Sequence, residues 1–216
     1  MKVYINDRTY LASGILIVVD LEFSGLNPEK HSILSIGAVD FSHPERKFYR
    51  ECRLRAGSTY EPRALKVNGF TVKQITDKKK NSPKRILVDF CKWAAESEDH
   101  TLGGHSQNMD LAYLADGIKR YGIKFSFGHR GVDTHGVTYA NILSRGIKPP
   151  IRNGKTDVNS DYVFRYVGIG KEPNPHNALT GAEMVAEALS RLIYGKPLLD
   201  AFKDKEVPKY LKPHTK

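Results

Sequence analysis

One stretch of sequence decides the fold of this chain: Ile15-Leu16-Ile17-Val18-Val19-Asp20-Leu21-Glu22-Phe23-Ser24-Gly25-Leu26. The uninterrupted apolar run before Asp20 predicts a strand that is buried on both faces, because β-branched residues pack well in sheets. Side chains alternate between the faces of a strand, so Asp20 and Glu22 point the same way, about 6 to 7 Å apart. The stretch therefore predicts a pair of carboxylates at the end of a core strand.

Two buried like charges raise the free energy of the folded state unless a positive charge compensates them. A divalent cation such as Mg²⁺ or Mn²⁺ is a common solution, because these ions prefer carboxylate oxygen. The turn Ser24-Gly25-Leu26 supports this interpretation, since a small, flexible turn lets a substrate approach the backbone closely. A strand that ends in a solvated acidic turn is the alternative.

The composition is that of a globular protein with a large positive charge. With 216 residues, 40% of them hydrophobic and 27% charged, the chain suits one domain with a substantial core. The net charge of +10 indicates an anionic partner, and nucleic acid is the first candidate. A generally basic protein without such a partner is the alternative.

The sequence also predicts where the protein is located and what structural role its two cysteines have. No apolar run reaches the roughly 18 to 20 residues that span a bilayer. Residues 11–19 loosely resemble a signal-peptide core, but they lack a basic leader and a cleavage site, so we expect a cytoplasmic protein without a membrane partner. Cys52 and Cys91 are far apart in sequence. We expect each to be a small core residue rather than a zinc ligand or half of a disulfide.

The rest of the pattern predicts an α/β fold in a single domain. Two further strands, at 32–41 and 47–54, would form an antiparallel meander with the first. Periodicity and capping predict a short strand at 101–105 and helices at 62–67, 83–98, from the N-cap Asn108 onward, 132–143 and 178–194. We expect a long, partly mobile surface loop at 145–170. The domain boundaries that follow are an N-terminal lead-in at 1–13, one domain at 14–196 and a flexible basic tail at 197–216.

Three sequence motifs follow one another along the chain. The first is Asp20-Leu21-Glu22-Phe23-Ser24-Gly25-Leu26, the second is Gly104-His105-Ser106-Gln107-Asn108-Met109-Asp110, and the third consists of His176, Ala178 and Ala182. Together they resemble the motifs of the DEDDh 3′-to-5′ exonucleases, the proofreading-subunit-like family of the ribonuclease H-like superfamily. The resemblance implies a ribonuclease H-like mixed sheet, an antiparallel three-strand meander plus parallel strands, flanked by helices on both sides.

The same resemblance implies two-metal hydrolysis of a phosphodiester with Mg²⁺ or Mn²⁺, at a single-stranded 3′ end. Asp20 would bridge the two ions, Glu22 would hold the ion on the nucleophile side, and Asp110 would act on the leaving-group side. His176 would be the general base. The residues implied to contact the terminal nucleotide are Phe23, Ser24, Gly25, Leu26 and Asn108.

One position departs from the family pattern. Gly181 stands where the family has its fourth carboxylate, five residues after His176. Glu183 lies about 200° away around the helix and cannot simply replace it, whereas Asp157 and Asp161 belong to the adjoining loop. The sequence thus leaves two functions open: an exonuclease impaired at this position, which Gly181→Asp would restore, or a nucleic-acid-binding protein with little catalysis. An unrelated phosphate-binding protein is not supported, since there is no P-loop or dinucleotide fingerprint.

Overall fold

A computed structural model describes residues 16–212. Five strands form one mixed sheet: β1 (Ile17–Phe23), β2 (Ile33–Asp40), β3 (Lys47–Glu51), β4 (Leu102–Gly104) and β5 (Gly131–Asp133). They lie in the order β3-β2-β1-β4-β5, in which β1, β2 and β3 are antiparallel neighbours and β4 and β5 run parallel to β1. The predicted mixed sheet with its three-strand meander is confirmed. The predicted lead-in and Ile15 lie outside the described residues.

Helices cover both faces of this sheet, as predicted. They are α1 (Pro62–Asn68), α2 (Val72–Thr76), α3 (Pro83–Ala94), α4 (Gln107–Tyr121), α5 (Thr134–Ser144), α6 (Ser160–Tyr166) and α7 (Ala178–Tyr194). Ile17 and Val19 of β1 pack in one core with α3 and α4, whereas Val18 packs in another with α5, α6 and α7. Asp20 and Glu22 share the face of Val18, because strand side chains alternate. Both acids therefore point toward the α7 side of the sheet.

Helix α7 approaches the sheet closely at Gly37 on β2. A Cβ atom at Gly37 would lie 2.1 Å from the backbone of Ala178, the first residue of α7. Gly37 is also the cross-strand partner of Asp20. The lack of a side chain at Gly37 therefore lets the first turn of α7 lie beside Asp20. The predicted helix over 178–194 is confirmed at both ends.

The prediction of a long mobile loop over 145–170 is wrong. This segment contains a short hairpin, β6 (Ile151–Arg152) and β7 (Lys155–Thr156), followed by α6. Asn153 and Gly154 form the hairpin turn with positive φ angles of 50° and 72°, a conformation that Asn-Gly pairs favour. Val163 and Phe164 of α6 are buried in the core. The turn-forming residues mark the ends of short elements rather than one continuous loop.

Three predicted helix boundaries also change. Val132 lies in β5, so the helix predicted over 132–143 begins only after Asp133, which caps α5 by accepting the N–H of His135 at 2.8 Å. Asn108 is not an N-cap, because α4 begins one residue earlier, after Ser106. Helix α3 ends at Ala94, short of the predicted end.

The basic segment after α7 packs onto the domain, so the expectation of a flexible tail is wrong for residues 197–212. Arg191 on α7 is fully buried and donates to the carbonyl of Phe202 at 3.0 Å. Its partner Glu187 lies 2.6 Å away and accepts the backbone N–H of Leu199 with its other oxygen. This buried ion pair holds the segment against the helix, because each of its charged groups also hydrogen-bonds to the backbone of the segment.

Two expectations from composition can be compared with the structure. Cys52 and Cys91 are buried with free thiols, as expected of core residues. Within residues 16–212, none of the helices has the length and apolar character needed to cross a bilayer.

The contact at Gly37 generates a stability prediction. In Gly37→Ala the new methyl group would overlap the backbone of Ala178, so the free energy of unfolding should fall by about 1 to 3 kcal/mol. Gly136, inside α5, has open space around its missing side chain, and Gly136→Ala should be neutral or stabilising by up to about 1 kcal/mol. Urea unfolding of both variants measures the difference. Equal stability of the two would contradict the close approach of α7.

Candidate active site

The two acids of β1 lie beside α1 and α7. Glu22 is 8% exposed, and the side chain of Asn68 hydrogen-bonds to it while donating to the carbonyl of Phe23 at 3.0 Å. The carboxyl group of Asp20 faces α7, where a Cβ atom at Gly181 would lie 2.3 Å from its Oδ2. Gly181 therefore leaves the space in which the Asp20 carboxyl group lies.

Asp110 reaches the same region from the first turns of α4. It is 5% exposed, and the backbone of Leu21 hydrogen-bonds to its carboxylate. Ser106, just before the helix, has a φ of 56°, a conformation that is strained for a residue with a side chain. The backbone N–H of Gln107 donates to Oδ2 of Asp133 at 2.9 Å. These contacts fix the turn that carries Asp110 next to β1.

A further acid, Glu172, comes from the loop between α6 and α7. Its side chain is 7% exposed, and its Oε2 lies 3.6 Å from Nδ1 of His176. Its Oε1 is buried and has no hydrogen-bond partner among the described residues. The charge of Glu172 also acts on Asp20 and Glu22, since it raises the pKa of both. Glu172 therefore belongs to the same cluster of acids.

His176 lies just before α7, and its side chain is 31% exposed. Its backbone N–H donates to the carbonyl of Val67 at 3.0 Å. The next residue, Asn177, caps α7 by accepting the N–H of Leu179 at 3.0 Å, and its amide donates to the hydroxyl of Tyr49 on β3 at 3.0 Å. The start of α7 is thus fixed to the sheet, and the imidazole is held at the edge of the acid cluster.

Burial and mutual repulsion perturb the ionisation of these groups. Burial raises the pKa of Glu22 to about 8, and the Glu172 carboxylate adds to the rise. Burial also raises the pKa of Glu172 to about 7. The pKa of Asp20 lies well above its usual range, first through burial and then through repulsion from Asp110. The pKa of Asp110 is raised too, again mainly by burial. The pKa of His176 is lowered, because burial disfavours the charged imidazolium.

The donor chemistry of this cluster suits hard divalent cations. Asp20, Glu22 and Asp110 form no ion pair with a lysine or arginine within the described chain, and the ion-pair partner of Glu172 is His176. The backbone of Asn177 also hydrogen-bonds to the Glu172 carboxyl group. Such uncompensated carboxylates are ligands for Mg²⁺ or Mn²⁺. Over residues 16–212 no three acids, histidines or cysteines are close enough to hold one ion as they stand.

The residues of the turn after β1 differ in how far they are exposed. Ser24 is fully buried, and its hydroxyl donates to the carbonyl of Thr59 at 2.7 Å and accepts the N–H of Ser32 at 2.9 Å. These bonds hold the turn, and a substrate contact of Ser24 stays a prediction. The carbonyl of Gly25 accepts the hydroxyl of Tyr113 at 2.6 Å. Leu26, in contrast, is 71% exposed.

Two other predicted contacts differ in exposure. Phe23 is partly buried and stacks on Tyr113 at a ring-centre distance of 4.0 Å. Asn108 is exposed on the second position of α4. Phe23 is thus held by the protein itself, whereas Asn108 is free to meet a substrate.

The other acids considered for the fourth carboxylate are paired elsewhere. Their ion-pair partners are Arg152 for Asp157, Lys171 for Asp161 and Lys47 for Glu183, at distances of 2.9, 3.5 and 2.7 Å. The prediction that Glu183 cannot take this position agrees with its pairing to β3. Glu172, which has no such cation, lies four residues before His176. It was missed because it belongs to none of the three motifs and to no predicted helix or strand.

Sequence comparison finds one distant relative. No protein-family model matches the chain. A DNA polymerase III of the PolC type from Thermotoga maritima is 21% identical over 189 residues, which are 88% of this chain and 12% of the polymerase. The chain thus spans about an eighth of that relative.

Structural comparison finds nucleases. Cell-death related nuclease 4 superposes with a TM-score of 0.64 at 14% identity, over 82% of this chain and 63% of the nuclease. Escherichia coli exonuclease I, in complex with a dA16 oligonucleotide, gives 0.62 at 14% identity over 82% of this chain and 40% of the enzyme. The nuclease domain of 3′hExo, a DEDDh family member bound to rAMP, gives 0.62 at 13% identity over 90% and 96%. One further exonuclease I structure holds a zinc ion.

At sequence identities this low, the structural comparison establishes the fold of the chain and nothing more specific. The chain has the ribonuclease H-like fold of the DEDDh exonucleases, which confirms the fold that the three motifs predicted.

The burial of these carboxyl groups, together with their mutual repulsion, predicts how stability depends on pH. The raised pKa values mean that the folded protein keeps protons which the unfolded chain, with carboxyl pKa values near 4, has already lost. Stability without metal is therefore fully present near pH 4 and falls as the pH rises through about 8, the pKa of Glu22. The melting temperature in EDTA should drop between pH 5 and 8, by about 2 to 4 °C for each kcal/mol lost.

Thermal unfolding of two charge-removing variants tests this dependence. Glu22→Gln should flatten the decline, because it removes one of the repelling charges. The exposed Glu29 provides the control, and Glu29→Gln should follow the parent protein. A parent melting temperature that rises from pH 5 to 8 would contradict the repulsion.

Proposed function

We propose that this chain is a metal-dependent 3′-to-5′ exonuclease that removes nucleotides from a single-stranded 3′ end. The observation that carries the proposal is the cluster of buried acids from β1, α4 and the loop before α7, which lacks lysine or arginine partners and adjoins a histidine. Support comes from the nucleases of the same fold, one of them in complex with an oligonucleotide and another with rAMP. A cytoplasmic location stays a prediction.

In this proposal Asp20, Glu22 and Asp110 hold two divalent ions, Mg²⁺ or Mn²⁺. When bound, such a pair of ions supplies an activated water and stabilises charge on the leaving oxygen. The acids of the protein bind and position the ions, and their mutual repulsion is relieved when they do so.

His176 takes the proton of the attacking water. Its pKa is lowered by burial, so the imidazole is neutral at pH 7 and able to accept a proton. Nδ1 faces Glu172, which leaves Nε2 as the nitrogen for the water. The amide of Asn177, bonded to Tyr49, holds the segment that carries this base.

Substrate binding is assigned to the turn after β1 and to the surface beside it. Leu26 would pack on the terminal base, the backbone of Gly25 would approach the sugar or phosphate, and Asn108 would contact the nucleotide from α4. Phe23 would serve the substrate indirectly, because it is stacked within the protein.

A basic groove offers a second binding surface. A cavity of about 630 Å³ is lined by cationic side chains, among them Arg53, Arg55, Lys78, Lys84 and Arg120. Lys78 and Lys84 flank a short segment of sequence that also contains Lys79 and Lys80. Phosphates along this groove would make affinity fall with rising salt.

A nucleic-acid-binding protein with little catalysis is the second candidate. The observation that favours it is Gly181 at the position where the family has a carboxylate. Metal-dependent digestion separates the two candidates, because both bind nucleic acid and only the first degrades it.

Digestion of a 5′-labelled single-stranded oligonucleotide with Mn²⁺ tests the proposal. The parent protein should shorten the labelled oligonucleotide stepwise from its 3′ end. His176→Ala should lower kcat by about 10²- to 10⁴-fold while the dissociation constant for the oligonucleotide stays unchanged, because a general base acts on the chemical step. His43, which is exposed in the turn after β2, provides the control.

Three results decide this test. His43→Ala should digest like the parent protein. Loss of binding in His176→Ala at unchanged turnover would refute the role of the histidine. A parent protein that binds but never digests would favour the second candidate.

Leu26 generates a separate prediction on substrate affinity. Leu26→Ala should raise KM for the oligonucleotide several-fold, since stacking and packing on a base contribute about 1 to 3 kcal/mol. Its stability should stay within about 0.5 kcal/mol of the parent value, because the side chain is exposed. Leu143→Ala removes another exposed leucine, on α5, and should change neither. Equal KM values for both variants would remove Leu26 from the substrate site.

A further inference from the structure

The family pattern has four acids at the metal site, and the three motifs of this chain contain only three of them. The structure adds a buried acid that lies outside the motifs, Glu172. Position 181 cannot supply the missing carboxylate, because it is glycine and the Asp20 carboxyl group lies in the space beside it. Of the acids near the cluster, Asp161 is paired with Lys171 and Glu183 with Lys47. Glu172 alone combines burial with the lack of a lysine or arginine partner.

We propose that Glu172 is the fourth acidic ligand of the metal site and takes the place of the absent carboxylate at Gly181. The inference rests on the proposed metal-dependent function and extends it by one residue. It assigns Oε1 of Glu172 to the ion that Asp20 and Glu22 hold.

The two carboxylate oxygens of Glu172 support this assignment differently. Oε1 is buried without a hydrogen-bond partner among the described residues, an arrangement that costs free energy unless a ligand satisfies the oxygen. Oε2 faces Nδ1 of His176 at 3.6 Å, so the same side chain also links the metal site to the base. Its charge also raises the pKa of both Asp20 and Glu22, although burial is the larger cause for each.

The position of Glu172 in the chain explains how the substitution works. Glu172 precedes His176 by four residues in the loop that leads into α7, whereas position 181 follows it by five. Both positions flank the first turn of the helix, which Gly37 and Asn177 hold against the sheet. The loop before His176 therefore supplies an acid beside this base, at 3.6 Å from its Nδ1. Activity would then not require an aspartate at 181, and Gly181→Asp alone would displace Asp20 instead of restoring a site.

Calorimetric titration of the full chain with Mn²⁺, without substrate, tests the assignment. Glu172→Gln should weaken Mn²⁺ binding by about 10-fold or more, because it removes a charged ligand. Glu172→Asp keeps the charge but shortens the side chain, and it should lose most of the same affinity. Glu183→Gln removes a charge near the start of α7 and should bind Mn²⁺ like the parent protein. Melting curves in EDTA confirm that each variant is folded.

Two outcomes would overturn the assignment. Unchanged Mn²⁺ affinity in Glu172→Gln, whatever its turnover, would reduce Glu172 to a neighbour that positions His176. Parent-like affinity in Glu172→Asp, with a loss only in Glu172→Gln, would show a through-space effect of charge rather than a ligand. Neither outcome depends on digestion, so a protein that binds Mn²⁺ through Glu172 but does not digest would refute the exonuclease and leave this inference standing.

Discussion

Repulsion between buried carboxylates is the constraint on which the rest of this structure depends. Asp20, Glu22, Asp110 and Glu172 come from three separate parts of the chain, and the charges of the other three all raise the pKa of Asp20. Like charges in a region of low dielectric destabilise the fold unless protons or cations neutralise them. The protein keeps this arrangement, so its fold is stabilised elsewhere, by the two apolar cores on either side of β1.

Glycines allow the acids and the helix to come so close. Gly37 removes the side chain that would separate α7 from the sheet, and Gly181 leaves room for Asp20. Asn177 then fixes the first turn of α7 through Tyr49. A helix held at this distance places His176 beside the acids, where its Nδ1 lies 3.6 Å from Oε2 of Glu172. The close packing of backbone thus determines which side chains meet at the site.

Much of this could be predicted from the sequence, because the signals were local. The apolar run before Asp20 identified the central strand, and the periodicity from Ala178 to Tyr194 identified α7. Asp20, Glu22, Asp110 and His176 were found through motif spacing. The hairpin at Asn153-Gly154 carried a turn signal too, but it was lost among neighbouring turn-forming residues.

Glu172 carried no local signal at all. It stands in a loop without periodicity, and only the approach of that loop to β1 gives it a function. The same holds for Asn68, which reads as the end of a helix and in fact hydrogen-bonds to Glu22. Ser24 shows what long-range contacts add, since its motif suggests a substrate contact and the fold buries its hydroxyl against Thr59. Long-range contacts decide such roles, and one sequence does not contain them.

Proton release on metal binding tests directly whether the buried carboxyl groups hold protons that a divalent cation displaces. Mn²⁺ binding at pH 7, measured calorimetrically in buffers with different ionisation enthalpies, reports how many protons leave the protein. Glu172 and Glu22, with pKa values near 7 and 8, hold protons at pH 7, so we predict net proton release that decreases as the pH rises above about 8. Binding without proton release at pH 7, or no binding of Mn²⁺ at all, would contradict it.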